Sequence, residues 1–495
     1  MNFLLGIDLG SSSVKVALVE QASGKCVDLV HMPSEEMDIT SMQKGWAEQD
    51  PNVWWVHICD AITTIKKRNH LVMNTIKSIG ISYQMHGLVL VDKHGDVLRD
   101  SIIWCDSRAV SIGEKAFDTL GPELCLSKLY NSPGNFTASK LRWVKENEPD
   151  IYKKIHKVML PGDFIAYKLS GEINTTIPGL SEGIMWDFKE NCFAGFLFDY
   201  FELDESLVPP VVNTFSIQSV VDKNGEQASG ILAGTPITYR AGDQPNNALS
   251  LNVFNHGEVA MTGGTSGVVY AVSTNNSQKA TEHVNNFAHV NYDGSNSKSI
   301  GKLLCINGAG IQYKWLKNTL KLDSYTTMNS LAEEVSVGSE GLRVFPFGNG
   351  AERMFENKLL GTSISDVDLN RHTNAHLCRA TLEGIAFSMV YAVELLYQEG
   401  VAPTVLRAGN DNLFQSKIFS ETIATLLNKE IEIYNTTGAI GAARASDLHS
   451  GNFDEFSQKI FNNDYAFSYH PNSNHKFYDE AYASWKSYLK ILINR

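Results

Sequence analysis

Residues 1–20 read MNFLLGIDLGSSSVKVALVE, and the middle of this stretch, GIDLGSSSVK (residues 6–15), has the glycine and serine content of a phosphate-binding loop. It lacks both the G-x-x-x-x-G-K-[ST] pattern of a Walker loop and the G-x-G-x-x-G pattern of a dinucleotide-binding turn. After the turn, Val14, Val16 and Leu18 alternate with their neighbours, and a period of two is typical of a strand. The sequence therefore predicts a strand, a tight Gly/Ser turn and a second strand.

The predicted turn has the groups that a phosphate site needs. Gly10 permits the positive φ that a tight turn can require. The amides and hydroxyls of Ser11, Ser12 and Ser13 can surround a phosphate, although a Gly/Ser turn also occurs without any ligand. Asp8 at the mouth of the turn would repel phosphate unless a divalent cation lay between them, so we predict that Asp8 binds Mg²⁺ directly or through water. The alternative role for Asp8 is to cap the turn.

A second stretch, GEVAMTGGTSGVVYAV (residues 257–272), repeats the layout of apolar strand, small-residue turn and apolar strand. When Gly264 is aligned with the glycine of the first turn, Thr265 falls on the first serine. Thr262 then falls where the first hairpin has its carboxylate. The two halves of the chain are therefore predicted to carry related phosphate-binding hairpins, of which only the first has an acidic group.

Composition limits the class of protein and its partners. A chain of 495 residues favours two domains, and 43% hydrophobic with 20% charged residues is typical of a globular protein. The net charge of -13 argues against a nucleic-acid or anionic-membrane partner. Seven scattered cysteines without a C-x-x-C motif favour a reducing compartment. The apolar start is too short for a signal peptide, and no apolar run approaches a membrane span, so a cytoplasmic protein is expected.

Several segments, in this order along the chain, resemble the motifs of the FGGY carbohydrate kinase family. They are GIDLGSSSVKVALV, ISYQMHGLVLVD, IIWCDSRA, AGDQPNNAL, TGGTSGVV, LEGIAF and TGAIGAARA. Within that family, QMHG followed by W-x-D-x-R is most similar to the xylulokinases. The resemblance implies an α/β fold of two actin- and Hsp70-like (ribonuclease H-like) domains, with nucleotide and sugar in the cleft between them.

The resemblance also implies a division of labour between the domains. Residues 1–244 are expected to form the sugar-binding and catalytic domain, and residues 245–495 the nucleotide-binding domain. We expect a C-terminal helix near residues 475–493 to pack back against the first domain. The residues themselves support α/β structure, since Asp50 and Pro51 read as the cap and first position of a helix.

Discriminating the hydroxyl groups of a sugar requires buried donors and acceptors. By resemblance, the sugar contacts are predicted at Gln84, Met85, His86, Trp104, Asp106, Arg108, Asp243 and Gln244. For His86 the alternative is a structural histidine bonded to backbone. Asp106 and Arg108 can instead form an ion pair that braces their loop.

The base of the reaction is predicted at Asp243. Phosphoryl transfer needs one group within hydrogen-bond reach of the attacking hydroxyl, and in the family this is the Asp of a Gly-Asp-Gln or Gly-Asp-Asn segment, which RAGDQPNNAL matches. The alternative is a helix N-cap, because Pro245 follows where a first-turn proline fits. Both roles are compatible.

The nucleotide site is predicted from both hairpins and from glycines of the second half. The predicted contacts are Gly10, Ser11, Ser12, Ser13, Gly264, Thr265, Gly308, Gly409 and Asn410. At Asn410 the chain departs from the family, where further glycines are usual. Glu383 lies in a helix that core packing mostly explains, with capping or bracing of the nucleotide pocket as the alternative, and Glu352 and Arg353 are read as a surface pair.

The predicted activity is ATP-dependent phosphorylation of D-xylulose to D-xylulose 5-phosphate with Mg-ATP. Another FGGY substrate is the first alternative: ribulose, gluconate, fuculose or glycerol. A non-catalytic actin-like ATPase and a sugar sensor are alternatives from other classes. The aromatic residues of the C-terminal segment, at helical spacing, are expected in the core or at the surface of a homodimer.

Overall fold

The computed structural model describes residues 1–274, 280–295, 297–448 and 452–494, and its chain divides into two compact units. The first unit comprises Met1–Phe254, Asn286–Ile300 and Thr436–Asn463, and the second comprises Asn255–Asn285, Gly301–Asn435 and Asp464–Arg495. The predicted single division at residue 244 therefore differs from this grouping. Two later segments, 286–300 and 436–463, return to the first unit.

The chain alternates between strands and helices throughout. In chain order the strands are β1 (Phe3–Leu9), β2 (Val14–Glu20), β3 (Cys26–Met32), β4 (Glu48–Gln49), β5 (Ile76–Tyr83), β6 (Val89–Val91), β7 (Ser101–Ile102), β8 (Lys157–Met159), β9 (Thr175–Thr176), β10 (Trp186–Asp187), β11 (Cys192–Phe193), β12 (Val211–Val212), β13 (Ser219–Val220), β14 (Pro236–Gly242), β15 (Glu258–Gly263), β16 (Gly267–Ser273), β17 (Asn285–Ala288), β18 (Ile300–Ile306), β19 (Arg343–Phe347), β20 (Gly361–Ser365), β21 (Val405–Gly409), β22 (Ile431–Tyr434) and β23 (Tyr465–Tyr469). The α-helices are α1 (Pro51–Arg68), α2 (Val110–Leu120), α3 (Pro122–Lys128), α4 (Thr137–Asn147), α5 (Pro149–Tyr152), α6 (Pro161–Ser170), α7 (Ile177–Glu182), α8 (Gly195–Phe201), α9 (Lys223–Ser229), α10 (Asp243–Ser250), α11 (Ala309–Thr319), α12 (Tyr325–Glu333), α13 (Asn374–Gln398), α14 (Lys417–Leu427), α15 (Gly438–Ala445), α16 (Phe453–Asp464) and α17 (His475–Ile493). Short 3-10 helices lie at Met73–Thr75, Glu205–Leu207, Ser339–Gly341, Arg353–Phe355 and Asn412–Gln415.

The main sheet of the first unit runs in the order β13-β14-β5-β1-β2-β3. Strands β1 and β2 are antiparallel, with Asp8 opposite Lys15 and Leu9 opposite Val14, whereas β1 and β5 are parallel. The strand, turn and strand predicted for residues 1–20 are thus confirmed. The carboxyl end of β1 presents Asp8 at the same edge as the end of β5.

Helix α15 lies directly on the backbone of this sheet. A Cβ atom on Gly6 of β1 would overlap with the carbonyl oxygen of Ala439, and one on Gly80 of β5 would overlap with that of Ala442. Only glycine permits this close approach in a strand. The contact explains why the segment after residue 436 belongs to the first unit.

Helix α1 begins as the sequence predicts. The Asp50 side chain accepts a hydrogen bond from the Asn52 amide, and Pro51 occupies the first helical position. Its buried face includes Trp54, Ile58 and Ile62, which pack in the apolar core under the main sheet.

The second unit contains a sheet in the order β18-β16-β15-β21-β22-β23. Strands β15 and β16 form the second predicted hairpin, with Gly263 opposite Gly267, and β15 runs parallel to β21. Among the described residues, α13 is a helix long and apolar enough to span a membrane by length and composition. Because 83% of its most apolar window is buried inside the protein, it has the environment of a core helix.

The C-terminal helix α17 is present, but the prediction that it packs on the first domain is wrong. Its Trp485 indole stacks on Phe345 with ring centroids 5.3 Å apart and donates a hydrogen bond to the Val344 carbonyl at 2.9 Å. Tyr482 and Leu489 join the same core of the second unit. The aromatic spacing of the tail is thus explained by core packing.

Candidate active site

The first Gly/Ser turn is held by neighbours on several sides. The Gly10 amide donates to the Ser13 carbonyl at 2.9 Å, which closes the turn. The side chain of Gln49 donates to the Ser11 carbonyl at 2.7 Å, and the indole of Trp104 donates to the Ser11 hydroxyl at 3.3 Å. Gly10 is not among the residues with positive φ, contrary to the reason given for it from sequence. Its small size matters instead, since a Cβ there would lie 3.2 Å from the Ser13 carbonyl oxygen.

Asp8 lies at the end of β1 between β5 and the start of α15. Its Oδ1 accepts a hydrogen bond from Ser82 at 2.7 Å, and its Oδ2 lies 2.6 Å from the position that a Cβ on Gly438 would occupy. Asn246 holds this glycine by donating to its carbonyl at 2.9 Å. The hydrogen bond to Asp8 therefore comes from β5, which does not support the turn-capping alternative.

Asp243 is the first residue of α10, after the N-cap residue Gly242. Burial, followed by the negative charge of Asp8, raises the pKa of Asp243 to about 7, while hydrogen bonds from Gln244 oppose the rise. The sequence predicted a helix N-cap at Asp243 as the alternative role. The helix does start here, but the N-cap is Gly242, one residue earlier. A carboxyl with this pKa can hold or release a proton at neutral pH.

The pair Asp8 and Asp243 offers oxygen ligands that suit Mg²⁺. In the described part of the chain, no group of three or more His, Cys, Asp and Glu side chains is arranged to hold a metal ion. Mg²⁺ commonly takes one or two protein carboxylates and fills its other positions with water and phosphate oxygens. The donor set fits that mode and does not form a cage made only of protein.

His86 adopts a left-handed backbone conformation with φ of 62° in the QMHG turn (residues 84–87). Its Nδ1 lies 2.8 Å from the carbonyl oxygen of Glu182, which can only accept, so Nδ1 carries the hydrogen and Nε2 is left as an acceptor. Burial, and then the charge of Lys140, lowers the pKa of His86 to about 3. The imidazole is therefore neutral, with one nitrogen used structurally and one available to a ligand.

Gln84 and Met85 connect this turn to its surroundings. The backbone amide of Gln84 donates to the Leu9 carbonyl at 2.7 Å. The buried side-chain oxygen of Gln84 has no hydrogen-bond partner among the described residues. Met85 packs against Gly242, where a Cβ would stand 2.5 Å from Met85 Cγ. The QMHG turn thus lies beside both the end of β1 and the turn that carries Asp243.

Asp106 and Arg108 form a buried ion pair, so the structure favours the bracing alternative over a direct sugar contact. Arg108 Nη2 lies 2.7 Å from the Asp106 carboxylate, which also accepts from the Ala47 amide at 2.6 Å. The guanidinium covers the Trp46 ring at 3.8 Å from its centroid. Trp104, in contrast, is 48% exposed and stands over the first turn.

The second unit contains a cavity of about 230 Å³ and a larger one of about 660 Å³. The larger cavity is lined at one end by Gly263, Gly264 and Thr265 of the second hairpin. The first amides of α11 approach this hairpin, since Gly310 donates to the Gly264 carbonyl at 3.0 Å. Because the Gly310 and Ile311 amides are already bonded to the hairpin carbonyls, the groups that suit a phosphate here are those of the small-residue turn itself.

Three of the nucleotide contacts predicted in the second unit, Gly308, Gly409 and Asn410, do not line the larger cavity. Gly308 packs against the Pro346 carbonyl, with which a Cβ would overlap, and does not line the larger cavity. Asn410 is held by Tyr434 and Asn435 at the end of β21, through hydrogen bonds of 2.9 and 3.0 Å. The lining comes from Asn412, Leu413, Gln415 and Ser416 instead, because the 3-10 helix Asn412–Gln415 follows β21 where the family usually has further glycines.

Two charged residues of the second unit differ from expectation, and a third takes the structural role of its two alternatives. Glu352 is buried and Arg353 is half-buried, so they are not an exposed surface pair. Burial raises the pKa of Glu352 to about 8, and its carboxylate accepts from the Asn307 amide at 2.9 Å, just before α11. Glu383 binds Arg379 at 2.7 Å and lines the smaller cavity, so it does not brace the larger one.

Two charged residues near His86 were not found from sequence. The buried Lys140 ammonium donates to the carbonyls of His86 and Ile103 at 2.9 and 3.0 Å and so joins the QMHG turn to the segment before Trp104. Burial lowers the pKa of Lys140 to about 7. Burial also raises the pKa of Glu182 well above its usual value. Neither residue lies in a recognisable pattern, because contacts distant in sequence create both environments.

Comparisons with known proteins show the relatives of this chain and the proteins that share its fold. Among curated proteins, the chain is 26% identical to a xylulose kinase of Haemophilus influenzae over 99% of both chains. It is 27% identical to one of Staphylococcus xylosus, over 92% of this chain and 94% of that protein. The fold matches the structure of a Rhodospirillum rubrum xylulose kinase with a TM-score of 0.88, at 23% identity over the whole of both chains.

The same fold occurs in a glycerol kinase of Plasmodium falciparum solved with ADP, with a TM-score of 0.89 at 20% identity, covering 99% of this chain and 98% of that one. These likenesses confirm the predicted pair of α/β domains of the actin- and Hsp70-like fold. The sequence profile of the FGGY family of carbohydrate kinases, N-terminal domain, matches residues 3–250, and that of the C-terminal domain matches residues 259–446. The chain belongs to the FGGY family of carbohydrate kinases.

Proposed function

We propose that this carbohydrate kinase transfers the γ-phosphoryl group of ATP to D-xylulose and forms D-xylulose 5-phosphate. The observation that carries the proposal is Asp243, a carboxyl with a pKa of about 7 that lies beside Asp8 and beside the QMHG turn. The curated relatives named xylulose kinases match over nearly the full length, which supports the choice of acceptor.

In the proposed reaction Asp243 accepts the proton of the attacking hydroxyl. Because a carboxylate is a weak base towards an alcohol, the proton moves late, as the bond to phosphorus forms. Neutral His86 accepts a hydrogen bond from another sugar hydroxyl at Nε2. Trp104 offers an exposed ring face to the sugar. Asp106 and Arg108 hold the loop of Trp104 without touching the substrate.

The proposal assigns the nucleotide to the larger cavity of the second unit. Thr265 and Gly264 would contact the phosphates, and Tyr313 and Tyr325 of the cavity lining offer aromatic surface for the base. In the first unit, residues 10–13 would contact phosphate oxygens. Mg²⁺ at Asp8 would neutralise the charge between this carboxylate and the phosphate chain.

A coupled ADP-release assay tests the proposal. It compares D-xylulose, ribulose, gluconate, fuculose and glycerol with a reaction without acceptor, all with Mg²⁺. We expect the highest kcat/KM for D-xylulose. A higher value for another acceptor would refute the substrate but not the kinase. ADP release that no acceptor increases would indicate an ATPase of a different function.

We further infer a cytoplasmic protein without nucleic-acid or membrane partners, because the net charge of -13 offers no basic surface for either. A homodimer stays a prediction. Light scattering coupled to size-exclusion chromatography measures it directly, and a mass of 54.8 kDa would identify a monomer.

A further inference from the structure

Glu182 is a buried carboxyl that the proposed reaction does not use. It is the last residue of α7 and is 1% exposed. A Cβ on Gly242 would overlap with its Oε2, so Glu182 lies directly under the turn that carries Asp243. The hydroxyl of Tyr83 is hydrogen-bonded to the same carboxyl. Its neighbours are thus the Asp243 turn and the end of β5.

Glu182 contacts His86 in two ways. The His86 amide donates to Oε1 of Glu182 at 3.4 Å, and the His86 ring donates from Nδ1 to the Glu182 carbonyl at 2.8 Å. That carbonyl belongs to the last turn of α7, where helix carbonyls lack a partner within the helix. A non-glycine residue such as His86 adopts a left-handed conformation only where its surroundings hold it. The contacts with Glu182 supply that restraint.

The charges around Glu182 decide its protonation. Asp243 and Asp163 both raise its pKa in addition to burial, and Tyr83 and the His86 amide oppose them. The nearby cation is Lys140, whose ammonium bonds to the carbonyls of His86 and Ile103. Burial and two acidic neighbours therefore both disfavour the charged form of this carboxyl.

We propose that Glu182 is a positioning residue of the acceptor site, which holds the QMHG turn and the His86 ring against the Asp243 turn. The proposal rests on the proposed sugar kinase function. Glu182 acts through His86 and Gly242 and does not touch the reacting atoms. Its role is to fix the distance between the group that binds the sugar and the group that accepts the proton.

Two variants test the role in the full-length enzyme. Glu182→Ala removes the restraint on the His86 amide, and we expect the KM for the acceptor to rise about tenfold, because a buried donor loses its partner, with the KM for ATP within about twofold. Glu182→Gln keeps the size of the side chain and an oxygen that can accept from the His86 amide, so the KM for each substrate should stay within about threefold of the wild-type value. Asp187→Asn is the matched control and should leave both KM values unchanged, because Asp187 is a buried carboxyl of the same unit that accepts from Lys128 at 2.7 Å and has no contact with His86 among the described residues.

An unchanged acceptor KM in Glu182→Ala overturns the proposal. An acceptor KM that rises as much in Glu182→Gln as in Glu182→Ala also overturns it. Amide hydrogen exchange of residues 84–88 gives a readout that does not depend on turnover. Exchange there should accelerate in Glu182→Ala and not in Glu182→Gln. If the wild type phosphorylates no sugar, the proposed function fails, and the exchange rates still decide whether Glu182 holds the turn. Equal exchange in all variants refutes it.

Discussion

Replacing Asp243 by Asn removes the proposed proton acceptor while it keeps the size of the side chain at the start of α10. A positioned general base contributes roughly 10²- to 10⁴-fold to a rate, so kcat should fall by about that factor. The KM for the acceptor should change little, because the QMHG turn and Trp104 are untouched. The loss should therefore appear in kcat and kcat/KM together.

The pH dependence of the wild type follows from the pKa of about 7 for Asp243. Below this value the carboxyl is increasingly protonated and cannot accept a proton, so only about a tenth of the molecules are active at pH 6. Activity should rise with pH through the midpoint near 7 and then level off. In Asp243→Asn this rise should be absent from the residual activity.

The raised pKa of Asp243 also predicts how the stability of the protein against unfolding changes with pH. The folded pKa of Asp243 is raised above the unfolded value, so its contribution to stability is fully present below the unfolded pKa and is lost as pH rises through about 7. A rise of roughly three units corresponds to at most about 4 kcal/mol above pH 7, and less for a half-buried group. Asp243→Asn should therefore unfold at higher denaturant concentration than the wild type at pH 8, with no gain at pH 4.

Two assays decide this prediction: coupled ADP release between pH 5.5 and 8.5, and denaturant unfolding at the two ends of the range. Asp222→Asn is the matched control, because Asp222 caps α9 in the same unit by accepting from the Gly225 amide at 2.7 Å. It should retain the activity and the pH profile. An Asp243→Asn enzyme with kcat within tenfold of the wild type, or one less stable at pH 8, would refute the reasoning.

Three further changes test the surroundings of the base. Asp8→Asn should raise the Mg²⁺ concentration needed for half-maximal ADP release by about tenfold, because the metal loses a charged ligand, and an unchanged Mg²⁺ titration would contradict the metal role. Gly438→Ala places a Cβ 2.6 to 2.9 Å from the carboxyl atoms of Asp8 and should produce a similar Mg²⁺ defect with a lower melting temperature, as measured by calorimetry. His86→Ala should raise the acceptor KM about tenfold. In the wild type the acceptor KM should show no step near pH 6.5, because the pKa of His86 is about 3 and its ring is already neutral.

The local patterns of the sequence predicted the local structure well. The alternation after Gly10 and in residues 257–272 identified both hairpins, and the Asp-Pro pair identified the start of α1, because each depends on neighbouring residues only. The contact between α15 and the main sheet also has a sequence signal, which is the pair of glycines Gly6 and Gly80 inside the strands β1 and β5. They indicate a close backbone approach, which α15 provides from more than 350 residues away.

The parts that failed depend on contacts between distant segments. The spacing of Asp106 and Arg108 allows either a ligand pair or an ion pair, and only their burial beside Trp46 distinguishes the two. Glu352 was predicted at the surface with Arg353, whereas a contact 45 residues away in sequence buries its carboxylate against the Asn307 amide, just before α11. The larger cavity is lined by Asn412, Leu413, Gln415 and Ser416 and not by Asn410, because the fold of the distant chain segments decides which residues reach it.

The first unit collects Asp8, Glu182 and Asp243 beside the QMHG turn, although burying carboxyl groups is unfavourable. The structure lowers this cost by different means for each group. Ser82 donates to Asp8, the pKa of Asp243 lies near neutrality, and burial raises the pKa of Glu182 well above its usual value. These solutions suit different tasks, since a cation needs a charged ligand, a base needs a pKa near the working pH, and a supporting side chain needs neither. Glu182, which lies in no motif, should therefore tolerate replacement by Gln. Asp8 and Asp243, which lie in the motifs, should not tolerate replacement by Asn.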